Sequence, residues 1–166
     1  IHESLQKALA SLETGLSGFD EIAIPGAPDK ASIMKALGQA TPDRLRVIAQ
    51  AMRFGLTNDE IISATSFDPW FLNRIREIID VEAEVRKNGL PVTAEGLRNL
   101  KMMGFTDKRL ATLTGRDEGQ IRRLVHRPPE HGQITFASDV LHAKPLRMLV
   151  NVRRDMFVII GLTALA

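Results

Sequence analysis

Apolar side chains recur along this chain at the spacing of helices. From Glu3 to Leu12 the residues Leu5, Ala8, Leu9 and Leu12 fall at i, i+3, i+4 and i+7, one helix face, and Gly15 stands where a left-handed cap would close it. Thr14 to Asp29 is broken by Gly15, Gly18, Pro25-Gly26 and Pro28, so it reads as a connector with little regular structure, pinned by Leu16, Phe19 and Ile22. Asp29 can cap a short helix carrying Ile33, Met34 and Leu37, which Gly38 ends. Thr41 before Pro42 pairs a capping hydroxyl with a residue suited to the first helical position. The helix it starts runs to about Phe54, burying Leu45, Ile48, Ala49 and Met52 and turning Asp43, Arg44, Arg46, Gln50 and Arg53 outward.

Two further starts follow in quick succession. Thr57 stands three residues before Glu60, the spacing of a capping box, and opens a short helix bearing Ile61, Ile62 and Ala64. Asp68 before Pro69 opens a longer helix to about Lys87, with Phe71, Leu72, Ile75, Ile78 and Ile79 inward and Asn88-Gly89 as its stop. Trp70, the single tryptophan, is expected to wedge that helix end against its neighbours, in the core or an interface, rather than to stack on a ligand. Residues 53–75 and 102–124 then read as one unit written twice. An offset of 49 pairs Gly55 with Gly104, Leu56 with Phe105, Thr57 with Thr106, Ile61 with Leu110, Thr65 with Thr114, Asp68 with Asp117, Leu72 with Ile121 and Ile75 with Leu124. Each copy is a helix-turn-helix corner, a threonine-capped helix followed by an aspartate-capped one. Asp117 with Gln120 restores a capping box in the second copy, and Gly119 replaces Trp70.

These patterns predict one all-α domain of about seven helices over residues 1–127, an N-terminal helical hairpin followed by two related corners, with residues 128–166 a tail of unassigned structure. The final run from Met156 to Ala166 is apolar but much shorter than the roughly 20 residues that cross a bilayer. At 166 residues the chain can bury a core without metal or disulfide, and having no cysteine it has neither disulfides nor thiolate metal sites. The cytoplasm is the default compartment for such a composition. Its start at Ile1-His2-Glu3, without an initiator methionine, reads as a piece of something longer. Charged residues are 25% of the chain and nearly balance at +2, which demands neither nucleic acid nor an anionic membrane as partner.

Candidate chemistry is sparse. None of His2, His126, His131 and His142 pairs with another at i, i+4. His126 and His131 with Glu130 flank Pro128-Pro129 and could offer three ligands, though a solvated loop is the commoner use of such residues, and no metal site is assigned. Glu82 and Glu84 are two apart and project to different helix faces, so no acid–base pair is visible. Without a glycine-rich phosphate loop no cofactor-binding residue is assigned, and no catalytic one. One region is charged. From Arg98 to Arg127 the basic residues Arg98, Lys101, Lys108, Arg109, Arg116, Arg122, Arg123 and Arg127 exceed Asp107, Asp117 and Glu118 by +5. As a DNA reader the corner would present Glu118, Gln120, Arg122 and Arg123 to the major groove. The competing reading is a packing corner with a solvated or partner-facing surface.

The segments Glu3-Ser4-Leu5-Gln6-Lys7-Ala8-Leu9, Ser11-Leu12-Glu13 with Gly15, Ala40-Thr41-Pro42-Asp43-Arg44-Leu45, Ile48-Ala49, Glu60-Ile61 with Thr65, and above all Asp68-Pro69-Trp70-Phe71-Leu72 resemble the oligomerisation domain of the carbamoyl phosphate synthase large chain. The likeness covers about residues 2–125; residues 128–166 depart from the family. The resemblance implies a non-catalytic assembly domain in an ATP-dependent ligase. Its partners would be two flanking synthetase halves, a glutaminase small subunit and further copies of itself. The parent reaction, carbamoyl phosphate formation from bicarbonate and glutamine for arginine and pyrimidine synthesis, would use ATP with magnesium or manganese in domains outside this segment. A small helix-turn-helix DNA-binding regulator is the alternative.

Overall fold

A computed structural model describes residues 1–12 and 14–126. Eight helices form over that span: α1 (His2–Ser11), α2 (Lys30–Leu37), α3 (Arg44–Arg53), α4 (Asn58–Thr65), α5 (Pro69–Asn88), α6 (Ala94–Met102), α7 (Asp107–Thr114) and α8 (Glu118–His126). The eighth, beyond the seven anticipated, is α6. Thr93 caps it through the Gly96 amide, and Gly96 lies so close to Pro91 that a Cβ would come within 2.5 Å of that ring.

Helix α5 is the spine. Leu72, Ile75, Ile78, Ile79 and Val85 line one face, and α1, α3, α4 and α7 all pack on it. Val47, Ile48, Ala49, Ala51 and Met52 of α3, Ile33 and Leu37 of α2, Ile61 of α4, Leu110 of α7 and Ile121 of α8 complete a single apolar cluster. Each large aliphatic side chain so enclosed contributes about 1.5–3 kcal/mol. Phe19, fully buried, pins the connector to this cluster, and with it Ile24, whereas Leu16 and Ile22 are only partly covered.

The duplicated unit is present and longer than the sequence pattern indicated, because α3-α4-α5 and α6-α7-α8 repeat together. The same turn links the first two helices of each copy: Leu56 N–H donates to the Ala51 carbonyl at 3.1 Å, and Phe105 N–H to Leu100 at 3.2 Å. Thr57 and Thr106 cap the middle helices through the Glu60 and Arg109 amides. Thr65 and Thr114 hydroxyls bond back to Ile61 and Leu110 carbonyls, each at 2.7 Å. Left-handed Ser66 (φ 53°) and Gly115 (φ 65°) end those helices alike.

Four expectations need correction. The N-terminal pair is not a hairpin: α1 packs on α5, while α2 packs on α3 and α4. Helix α1 ends at Ser11 with Leu12 already extended, so Gly15 is not its cap, and its inner face is Leu9 with Gln6 while Ala8 and Leu12 are exposed. The reason is what α1 lies on. The Gly104 turn approaches so closely that a Cβ there would fall 2.7 Å from Glu3 Cα, and Gln6 Nε2 donates to the Met103 carbonyl at 2.9 Å. Third, Thr41-Pro42 forms a turn before α3 instead of its cap; Arg44 N–H bonds to the Thr41 carbonyl and the helix starts behind Asp43. Fourth, Phe71 is 41% exposed.

Candidate assembly surface and buried charge cluster

Position 82 follows Ile75, Ile78 and Ile79 at i+7, i+4 and i+3, so the apolar stripe of α5 carries a carboxylate into the core. Position 109 is the third residue of α7, where the first copy has Glu60. Glu60 reciprocates its cap, its carboxylate accepting from the Thr57 amide at 2.8 Å, whereas an arginine there cannot and turns inward. The two meet as a bidentate pair: Arg109 Nε and Nη2 lie 2.7 and 2.8 Å from the Glu82 carboxylate oxygens, with side chains 0% and 2% exposed. Arg53 Nη2 reaches Glu82 at 2.7 Å. Arg109 also donates to Glu21 at 2.9 Å and to the Phe19 carbonyl at 3.0 Å, and Arg53 bonds the same carbonyl. Arg86 closes on Glu21 from outside. Asp20, 3.4 Å from Arg109, accepts from the Ser17 hydroxyl at 2.6 Å.

Three carboxylates and three guanidinium groups therefore balance. Burial alone would raise Glu21, but hydrogen bonds from Arg109 and Arg86 outweigh it and hold that carboxyl down at about 2. Asp20 is likewise pushed up by burial and brought below its ordinary value by the Ser17 hydroxyl and amide. Burial would lower Arg109, yet Glu82 and Glu21 raise it, so it stays charged. Saturated by these partners, the cluster acts as a clasp that ties the connector to both copies of the repeat.

Outward, the Asp68 carboxylate caps α5 by accepting from the Trp70 amide at 2.8 Å. Trp70 does not wedge into the core: it is 52% exposed, because it precedes the inward Leu72 by two steps of about 100°. Phe71 packs edge-on against Trp70 at 4.9 Å and against Phe67 at 6.4 Å, while the Arg74 guanidinium sits 6.0 Å from the indole centroid. Phe67 in turn rests on the core.

Residues 1–128 match the family described as carbamoyl-phosphate synthetase large chain, oligomerisation domain. The chain belongs to that family. Carbamoyl phosphate synthase large chains of Brucella melitensis and Rhizobium meliloti are 54% and 52% identical to it over 125 and 126 residues, 74% of this chain and 11% of each relative. That of Vibrio parahaemolyticus is 43% identical over 124 residues, 74% of this chain and 12% of the relative. The chain thus spans about a tenth of these relatives' length.

Within this oligomerisation domain the predicted candidates do not converge. Glu82 faces the core, and Glu84 bonds Asn88 on another side. His126 is exposed, 3.4 Å from Asp107, while Glu130, His131 and His142 lie outside the described residues, as do Arg127 and the tail. Among the described residues no three His, Cys, Asp or Glu side chains gather as a metal site, and no helix is long and apolar enough to cross a membrane. Part of the basic corner is spent within the domain: Arg109 is buried, Lys101 binds Asp107 at 3.0 Å, and the exposed Lys108 and Arg122 bond the Gly15 carbonyl and, at 3.2 Å, Glu118. The DNA-regulator reading draws no support from the relatives either.

Proposed function

We propose that this oligomerisation domain works as a rigid, non-catalytic assembly piece of a cytoplasmic carbamoyl phosphate synthase. It would hold two synthetase halves in register and associate with further copies, in an enzyme that makes carbamoyl phosphate from bicarbonate and glutamine with a glutaminase small subunit. ATP and its magnesium or manganese would be bound by those halves, for arginine and pyrimidine synthesis. The observation that carries this reading is the family match over residues 1–128, and the structure adds support from how its charges are spent. Arg109, Glu82 and Arg53 saturate one another, which serves rigidity rather than chemistry. Sedimentation velocity of the purified chain, from micromolar to sub-millimolar concentration, tests it. Reversible concentration-dependent association without magnesium-dependent ATP turnover is expected; a strict monomer throughout, or turnover above a heat-killed control, would overturn it.

A further inference from the structure

We infer that the aromatic surface of Phe67, Trp70, Phe71 and Arg74 is the seat of another domain of the same polypeptide, and that copies of the chain associate through a different face. The inference rests on the reading that this domain is one part of a large chain. Its starting point is a cost left unpaid: two adjacent large aromatics face solvent, 52% and 41% exposed, at the start of the helix on which the fold is organised. Phe71, itself packed edge-on against Phe67, holds the indole edge-on, so the surface is pre-shaped and little side-chain entropy is lost when it is covered.

Area decides between occupants. A tryptophan and a phenylalanine at these exposures present on the order of 200 Å² together. A freely associating partner needs about 800 Å² on each side, so a second copy could not be held here by this patch alone. A tethered domain needs far less. Linkage within one chain raises its effective concentration to about the millimolar range, and interfaces between domains of a chain begin at about 600 Å² in total. The relatives supply ample covalently attached occupants, since the matched segment is only 11% of their length.

Hydroxyl-radical footprinting read by peptide mass spectrometry tests this. Labelling of Trp70 is compared between the 166-residue chain and the full-length large chain that contains it, each over a concentration series with its sedimentation measured in parallel. The expected result is constant, fast labelling in the short chain and labelling slowed about fivefold or more in the full-length one, as for a ring passing from exposed to buried. Trp70→Ser in the full-length chain should then speed labelling of Phe71 and leave the short chain's melting temperature nearly unchanged. Equal labelling in both chains, or protection of the short chain that grows with its concentration, would overturn the inference, the second outcome placing another copy on the patch. Absence of self-association in the same samples would overturn the assembly role and the separate self-association face, while the Trp70 comparison alone decides whether another domain covers the patch.

Discussion

Arg109 is the residue on which the two copies and the connector converge, since its guanidinium binds α5 through Glu82 and the connector through Glu21 and the Phe19 carbonyl. Arg109→Met should cost about 3–5 kcal/mol in urea unfolding, because it takes the bidentate partner from a buried carboxylate and leaves Glu82 with Arg53 alone. Adding Glu82→Met should recover a substantial part of that loss; strictly additive costs would mean that the pair is not coupled. The same cluster sets an acid response. Glu21 titrates near 2 when folded against an ordinary 4.5, so its contribution is complete above about 4.5 and lost as pH falls toward 2. Melting temperatures across that window should fall less steeply in Glu21→Gln than in the parent, and parallel curves would contradict the assignment. The sequence holds signs of this cluster: a carboxylate, Glu82, where the Ile75-Ile78-Ile79 stripe continues, and a cation where the first copy has Glu60. Neither sign names the other, because the pairing crosses 27 residues and exists only once α7 lies on α5. Of the two places open to Trp70, core or interface, the structure excludes the core for a simpler reason. Size and apolarity argue for burial, but helix phase relative to Leu72 decides it.

At the scale of elements, capping chemistry was the most legible feature. Asp29, the reciprocal Thr57–Glu60 box, Asp68 before Pro69, and the stop at Gly89 all act where residue type alone would put them. Spacing does not give the partner of each helix: α1 packs on α5 rather than on α2, and its polar Gln6 faces inward. The repeat offers an internal comparison of one turn in two chemistries. Ser66 and Gly115 occupy the same left-handed position, which costs a side-chain-bearing residue roughly 1–2 kcal/mol, partly offset by glycine's greater freedom when unfolded. Ser66→Gly should therefore stabilise the domain by about 0.5–1 kcal/mol, and Gly115→Ala should destabilise it by about as much. Opposite signs in equilibrium unfolding check this; two losses would show that the Ser66 side chain matters beyond its backbone.

For the whole molecule, the distribution of charge matters more than its total. The +5 excess of the second corner suggests a phosphate-binding surface, but four of its seven described cations bond Glu82, Glu21, Asp107, Glu118 or backbone carbonyls. Among the described residues Arg98, Lys108, Arg116 and Arg123 of that corner are exposed without an ion-pair partner. Four such groups neutralise about four phosphates, which gives a log–log salt slope of about −4 and micromolar or weaker affinity with no preferred sequence. The expected outcome in a competition assay over a salt series is accordingly weak binding that is the same for every duplex. Arg116, Arg122 and Arg123 exchanged together for Gln should alter self-association, measured by sedimentation, more than DNA retention. A duplex held roughly a thousandfold tighter than random DNA at physiological salt would reverse this reading, since only base-edge contacts from Gln120, Arg122 and Arg123 on the exposed face of α8 could supply that discrimination.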